Sequence, residues 1–186
     1  MTEREENIVE AASRVFTRYG VKRTTMNDIA SEAGLVRQTL YTVYKSKDEV
    51  LCAVIRHYTD QALEEVRRQW EAAGSLGEKL DIYFDVAILP SFRMVRESPD
   101  ADDVVSGFNN ISKDELDRAF ERKRQALAEM LAPETEALAR SGETVDTLAD
   151  FIQSASAKFK HTARDEAHLM TLLGTLKAVV IAIAER

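Results

Sequence analysis

The feature that most restricts this chain is a glycine set between two short helical patterns. The runs from Thr25 to Ala33 and from Val36 to Tyr44 each carry apolar residues at helical spacing, and Gly34 stands where the first must stop. Thr25 is a capping residue, and Asp28, three positions on, completes a capping box. Ile29 and Ala33 lie four apart and share a face, and Leu40 with Tyr44 points the second run inward. Gly34 can take the left-handed conformation that ends a helix. Arg37, Gln38, Tyr41 and Thr42 are left on the opposite face. Two short helices around such a turn are the sequence form of a helix-turn-helix, whose second helix enters the DNA major groove.

The charge distribution fits that reading better than the total. The 186 residues carry a formal net charge of −7, which alone argues against nucleic acid. Between Arg14 and Lys47, however, seven bases (Arg14, Arg18, Lys22, Arg23, Arg37, Lys45, Lys47) face two acids (Asp28, Glu32), a local balance of +5. A basic end on an acidic body can hold phosphates while the body stays soluble. Apolar residues at 45% suffice for a buried core, and seven Gly, three Pro and no alternating β-branched runs predict long helices with short connections. The single cysteine, Cys52, rules out an internal disulfide framework and a cysteine-rich zinc site. The first six residues are mostly charged rather than an apolar leader. The most apolar run, Ala167 to Ala184, contains Thr171, Thr175 and Lys177, so no membrane span is expected and the cytoplasm is the expected location.

In chain order, Ile8, Ala11, Ala12, Val15, Phe16 and Tyr19 mark a first amphipathic helix that Gly20 ends. Ser46 and Glu49 have capping-box spacing and open a long fourth helix reaching Trp70. Ser75 and Glu78 open the next, which Pro90 is expected to end or kink. Residues 91–111 are the least regular, with one short helix and loops expected. Ser112 and Glu115 are expected to cap a helix with Leu116, Ala119, Phe120, Leu127, Met130 and Leu131 inward, interrupted at Pro133. Thr144 opens a helix through Phe159, and a last helix is expected from about Thr162 to Ala184. Apolar residues cover more than one face of that last helix, so one face can pack on the core and another on a second subunit. Phe159, Leu169, Leu172, Leu176, Val179, Val180 and Ile183 are the candidate dimer residues.

Ile8, Ala11, Ala12, Phe16, Gly20, Thr24, Thr25, Asp28, Ile29, Ala30, Ala33, Gly34, Thr39, Leu40, Tyr41, Lys45, Ser46 and Lys47 together resemble the tetracycline-repressor (TetR/AcrR-type) family of bacterial transcription regulators. The likeness covers roughly the first quarter of the chain; the remainder matches in helical layout. It implies an all-α fold of about nine helices: residues 1–46 as a three-helix DNA-binding domain, and residues 47–186 as a helical ligand-binding and dimerisation domain. It also implies a homodimer through the last two helices, phosphate contacts from Thr25 and Lys47, and a DNA-backbone contact from Tyr41. Base contacts are implied for Arg37, Gln38 and Thr42, with Val36 and Thr39 completing the DNA-facing set. Arg can give guanine O6 and N7 a bidentate pair of donors, and Gln can pair with adenine N6 and N7. Val36 stands where the family usually has Ser or Thr, and Gln38 where Gly or Ala is frequent, so the operator sequence transfers least.

Taken alone, Arg37, Gln38 and Thr42 are an ordinary solvated helix face; the surrounding pattern favours DNA. His161, Asp165 and His168 have the spacing i, i+4, i+7, but Thr162 to Asp165 reads as a helix start that leaves His161 outside, and no metal is expected. With no nucleophile elbow, phosphate loop or dinucleotide fingerprint, neither an enzyme nor a cofactor is expected. Tyr58, Tyr83, Phe84, Phe92, Phe108 and Phe120 concentrate aromatic side chains in the middle helices. Core packing explains most of them, and a cavity for an apolar or aromatic small molecule would use the same residues. The expectation is a dimeric repressor that leaves a palindromic operator when a small effector binds. The alternatives are a non-inducible DNA-binding dimer and one controlled by a protein partner.

Overall fold

The computed structural model describes residues 1–97 and 110–184, and its regular structure there is helical. Side-chain caps set most boundaries. Thr2 and Glu5 form a capping box ahead of α1 (Glu3–Tyr19), and Thr25 and Asp28 form one ahead of α2 (Met26–Glu32). At the end of α2 the Leu35 N–H donates to the Ala30 carbonyl at 2.8 Å and the Gly34 N–H to the Ser31 carbonyl at 3.2 Å. This is a Schellman stop, with Gly34 at φ +67°. α3 (Arg37–Val43) follows without a side-chain cap, because Val36 has no oxygen to offer. Ser46 Oγ accepts the Glu49 N–H at the head of α4 (Lys47–Trp70).

Ser75 caps α5 (Leu76–Tyr83). Pro90 was expected to end or kink that helix, but the rod continues. A π-turn over Phe84–Ile88 carries it into α6 (Leu89–Glu97), with the Leu89 N–H reaching back five residues to the Phe84 carbonyl. The wider turn accommodates a proline ring that would otherwise press on the carbonyl four residues earlier. Ser112 and Glu115 lie inside α7 (Asn110–Leu131) rather than at its cap, and the Glu115 side chain pairs with Arg56. A 3₁₀ turn at Ala132–Glu134 contains Pro133 and leads to α8 (Thr135–Arg140), which ends at Gly142. α9 (Val145–Thr162) absorbs the residues expected to open the last helix, and α10 (Glu166–Ala184) starts later. There Asp165 Oδ1 accepts the His168 N–H at 2.8 Å, while Ala163 is already extended.

The chain divides into two compact units, Met1–Asp60 with Met94–Ala119, and Gln61–Arg93 with Phe120–Arg186. In the first, Ile8, Ala12 and Phe16 of α1 pack with Met26, Ile29 and Ala30 of α2, Leu40 of α3, and Val50 and Leu51 of α4. The Glu115 carboxylate, 3% exposed, takes a bidentate pair from Arg56 at 3.3 and 2.9 Å and a further bond from Arg118 at 3.2 Å. Those two guanidinium groups hold it below the ordinary carboxylate range although burial opposes them.

The second unit is a helical core of Leu80, Tyr83, Phe84, Ile88 and Phe92 against Leu127, Leu131, Leu148, Ile152, Leu169, Leu173, Leu176 and Val180. Tyr83 is its largest fully buried side chain, and its hydroxyl pairs with the Gln153 side chain, so neither polar group is left unsatisfied. α10 is long and apolar enough to cross a membrane by length and composition alone. Here it gives one stripe, Leu169, Leu173, Leu176, Val180 and Ala184, to the core, and Lys177 Nζ pairs with Asp81 at 2.7 and 2.8 Å.

At Gly34 an added Cβ would meet nothing within 4 Å. Gly34→Ala therefore isolates the backbone term, and urea unfolding should show a loss of about 1 kcal/mol. No loss would mean that the left-handed turn is not held in solution.

Candidate nucleic-acid interface

α3 presents two unlike faces. Leu40 is fully buried in the first unit's core, and Val43 and Tyr44 are half-buried beside it. Arg37, Gln38 and Thr42 are exposed, Val36 is 71% exposed at the N-cap, and Thr39 and Tyr41 are half-buried. The 3.6-residue period that buries Leu40 thus turns the candidate base-reading residues to the outside.

The outward face is partly pre-organised. The Arg37 guanidinium lies over the Tyr41 ring, 5.3 Å from its centroid, and donates to the Tyr41 hydroxyl at 3.3 Å. Stacking of this kind restricts a long side chain before any ligand arrives. Thr42 Oγ1 donates to the Thr39 carbonyl at 2.6 Å. Lys45 Nζ donates to the Tyr41 carbonyl at 3.1 Å, placing a cation on the last turn of α3. Lys45 belongs to the basic stretch but not to the candidate site residues; its spacing of four from Tyr41 is the sequence signal for this contact.

Thr25 and Lys47 are committed to the frame. The Asp28 N–H donates to Thr25 Oγ1 at 3.2 Å and the Thr25 N–H to Asp28 Oδ2 at 2.8 Å. Lys47 Nζ donates to the carbonyls of Val21, Lys22 and Thr24 at 2.7, 3.2 and 2.9 Å. Its ammonium fixes the connector that leads into α2, with all three donors in use. Of the other bases, Arg14 and Arg18 are drawn to Glu32 at 2.7 and 3.7 Å, so part of the local positive charge is neutralised.

The remaining candidates divide. Tyr83, Phe84 and Phe92 come together in the second unit's core, with the first two rings edge-on at 6.1 Å. Phe120 is half-buried on α7, Tyr58 is exposed on α4 in the first unit, and Phe108 lies outside the described residues. Among the dimer candidates, Leu169, Leu176 and Val180 are buried in the chain's own core and cannot also face a second subunit. Their spacing of seven and then four residues is the core stripe of α10, and Val179 lies outside it and is exposed. Phe159, Leu172 and Ile183 are half-buried. Phe151 and Met170, not among the candidates, are exposed. Asp165 is the cap of α10 with His161 behind it in α9, and no group of three metal-ligating side chains occurs among the described residues.

Residues 8–54 match the sequence profile described as bacterial regulatory proteins, tetR family. The chain is similar to the tetR family over that stretch. Its α1 to α3, with the head of α4, are the stretch that carries the match. The HTH-type transcriptional regulator YezE of Bacillus subtilis is 28% identical over 121 residues, which are 64% of this chain and 62% of that protein. The chain spans less than two thirds of the first curated relatives it matches. Among solved structures, a TetR transcriptional regulator from Legionella pneumophila superposes with a TM-score of 0.70 at 18% identity, covering 96% of this chain and 98% of that one. The SmeT–triclosan complex, SmeT being the repressor of the Stenotrophomonas maltophilia multidrug efflux pump SmeDEF, gives 0.64 at 21%, covering 97% and 91%. At these identities the structural likeness is one of fold. The tetR-family proteins matched are transcriptional regulators, not enzymes.

Three outcomes follow for the N-terminal helices. Thr25→Ala should cost about 1 kcal/mol of stability by removing the cap. Hydrogen bonds from the Thr25 side chain and then its backbone hold the Asp28 carboxyl below its ordinary value. A depressed carboxyl stabilises the fold above the unfolded-state range and loses that effect as the pH falls through its own titration. The gap in melting temperature between wild type and Asp28→Asn should therefore be open at neutral pH and close in acid. Lys47→Met should speed amide hydrogen exchange at residues 21–25; unchanged exchange would show that the three carbonyl contacts do not hold the connector.

Proposed function

We propose that the protein is a cytoplasmic, dimeric transcriptional repressor that reads a palindromic operator with α3 of each subunit and releases it when a small molecule binds the second unit. Residues 1–46 would form the reading module and residues 47–186 the sensing and dimerising one. The observation that carries the reading is the α3 face: Arg37, Gln38 and Thr42 exposed on a helix anchored by a buried Leu40. Arg37 and Gln38 offer the paired donors and acceptors that distinguish base pairs in the major groove, Tyr41 and Thr25 would meet the backbone, and Lys47 would act mainly by positioning Thr25.

Dimerisation is supported by the outer side of α10. Ala167, Met170, Thr171, Gly174, Thr175, Ala178, Val179 and Ala182 are exposed and uncharged. A helix face without charge and with small side chains suits close approach of a second helix, and Phe151 on α9 adds an exposed ring. Effector control is supported by α4. It begins at Lys47, which holds the reading module's connector, and ends at Trp70 in the second unit. A ligand acts through such a helix only by binding the released state better than the DNA-competent one, and DNA must then weaken the ligand by the same factor. SmeT, a protein of this fold, has been solved with triclosan bound.

Changing Arg37 and Gln38 together to Ala should abolish preference for the operator over scrambled DNA, with the dimer and its melting temperature retained. Operator preference equal to wild type in that variant would refute the assignment of α3 as the reading helix.

A further inference from the structure

Two lysines of the second unit have no part in DNA reading and occupy positions that a core would give to apolar residues. Lys123 falls on the inward stripe of α7, with Ala119, Ala126, Leu127 and Met130 buried around it in sequence. Lys160 continues the inward stripe of α9 after Ile152, Gln153 and Ser156. Lys123 Nζ donates to the Ala87 carbonyl at 3.1 Å, and Lys160 Nζ to Ser91 Oγ at 3.2 Å. Those acceptors are four residues apart, so the two ammonium groups lie about one helical turn from each other where the π-turn meets α6.

An ammonium has three donors, and among the described residues each of these has one recorded acceptor and no carboxylate. Several other cations of the unit are paired with acids: Arg67 with Glu129, Arg93 with Glu166, Arg124 with Asp146, and Lys177 with Asp81. Burial, with Lys160 and Arg122 adding to it, pushes the Lys123 ammonium down to about 7, and burial pushes Lys160 down as well. Every cause acts against the charged form. Two half-buried, mutually repelling cations beside a core are costly unless something anionic joins them.

We propose that Lys123 and Lys160 are the anion-recognising end of the effector site, taking the acidic group of a small molecule whose apolar part lies against the aromatic core around Tyr83, Phe84 and Phe92. The proposal rests on the ligand-responsive reading and sharpens it: the effector is an organic acid rather than a neutral apolar compound. Charge-assisted hydrogen bonds from both ammonium groups would hold a carboxylate or phosphate oxygen pair. The effector's own charge would supply the missing counter-ion.

The test uses the full-length protein and matched pairs: 2-naphthoate against 2-naphthylmethanol, octanoate against octanol, and 2-naphthyl phosphate against 2-naphthol. Calorimetry should show at least one acid binding tenfold or more tighter than its neutral partner. Lys123→Met with Lys160→Met should abolish that ratio while leaving the neutral compound's Kd within about twofold. Without ligand, the double variant should melt higher than wild type, because a desolvated charge pair has been replaced by apolar chains of similar length. Acids that bind no better than alcohols, a ratio that survives the double variant, or a lower melting temperature of the variant would each overturn the proposal. Operator release is scored separately on wild type. Release by a neutral compound with no acid preference sinks the anion site alone; acid binding through the two lysines with no release by any compound sinks the ligand-responsive reading alone.

Discussion

The arrangement of the N-terminal helices depends on one ammonium group. Lys47 Nζ spans from the head of α4 to the carbonyls of Val21, Lys22 and Thr24, and thereby fixes the short connector between α1 and α2. Thr25, at the end of that connector, caps α2. The Schellman stop at Gly34 then sets where α3 begins. Each step constrains the next, so the orientation of Arg37 and Gln38 is set by interactions that touch neither residue. A half-buried charge whose three donors all meet backbone carbonyls is a directional constraint that an apolar contact could not supply.

The N-terminal elements were legible because their signals are local. Capping boxes, a glycine with positive φ and a 3.6-residue stripe act within a few residues, and Thr25, Asp28, Gly34 and Leu40 do what their spacing implies. Legibility declines where a residue's role is set by a distant partner. Glu115 has the spacing of a capping residue, yet it lies inside α7 and pairs with Arg56, 59 positions away. Thr162 and Asp165 compete to start α10, and the carboxylate, which also binds the His168 N–H, wins. In α10 composition showed apolar residues on several faces but not how they divide, and the core took Leu169, Leu176 and Val180.

The same contrast separates the two sets of lysines. Lys45 and Lys47 stand inside a dense basic stretch that marks them in the sequence. Lys123, between Arg122 and Arg124, and Lys160, beside Lys158 and His161, are on different helices 37 positions apart, and nothing local brings them together. Only the fold places both against the stretch from Ala87 to Ser91. A half-buried lysine beside the core carries an energetic cost that stability alone does not explain.

The π-turn at Phe84–Ile88 has a consequence for reading relatives of this chain. A π-turn accommodates one residue more than an α-turn, so every face assignment downstream is rotated by about 100° relative to α5. An alignment that carries an unbroken helical period from Leu76 to Glu97 will pair Phe92 and Arg93 with residues from the wrong side of a homologue's helix. A single-residue gap near Pro90 restores the correspondence, and homologues lacking both the gap and the proline will present a different set of side chains to the same place in the core.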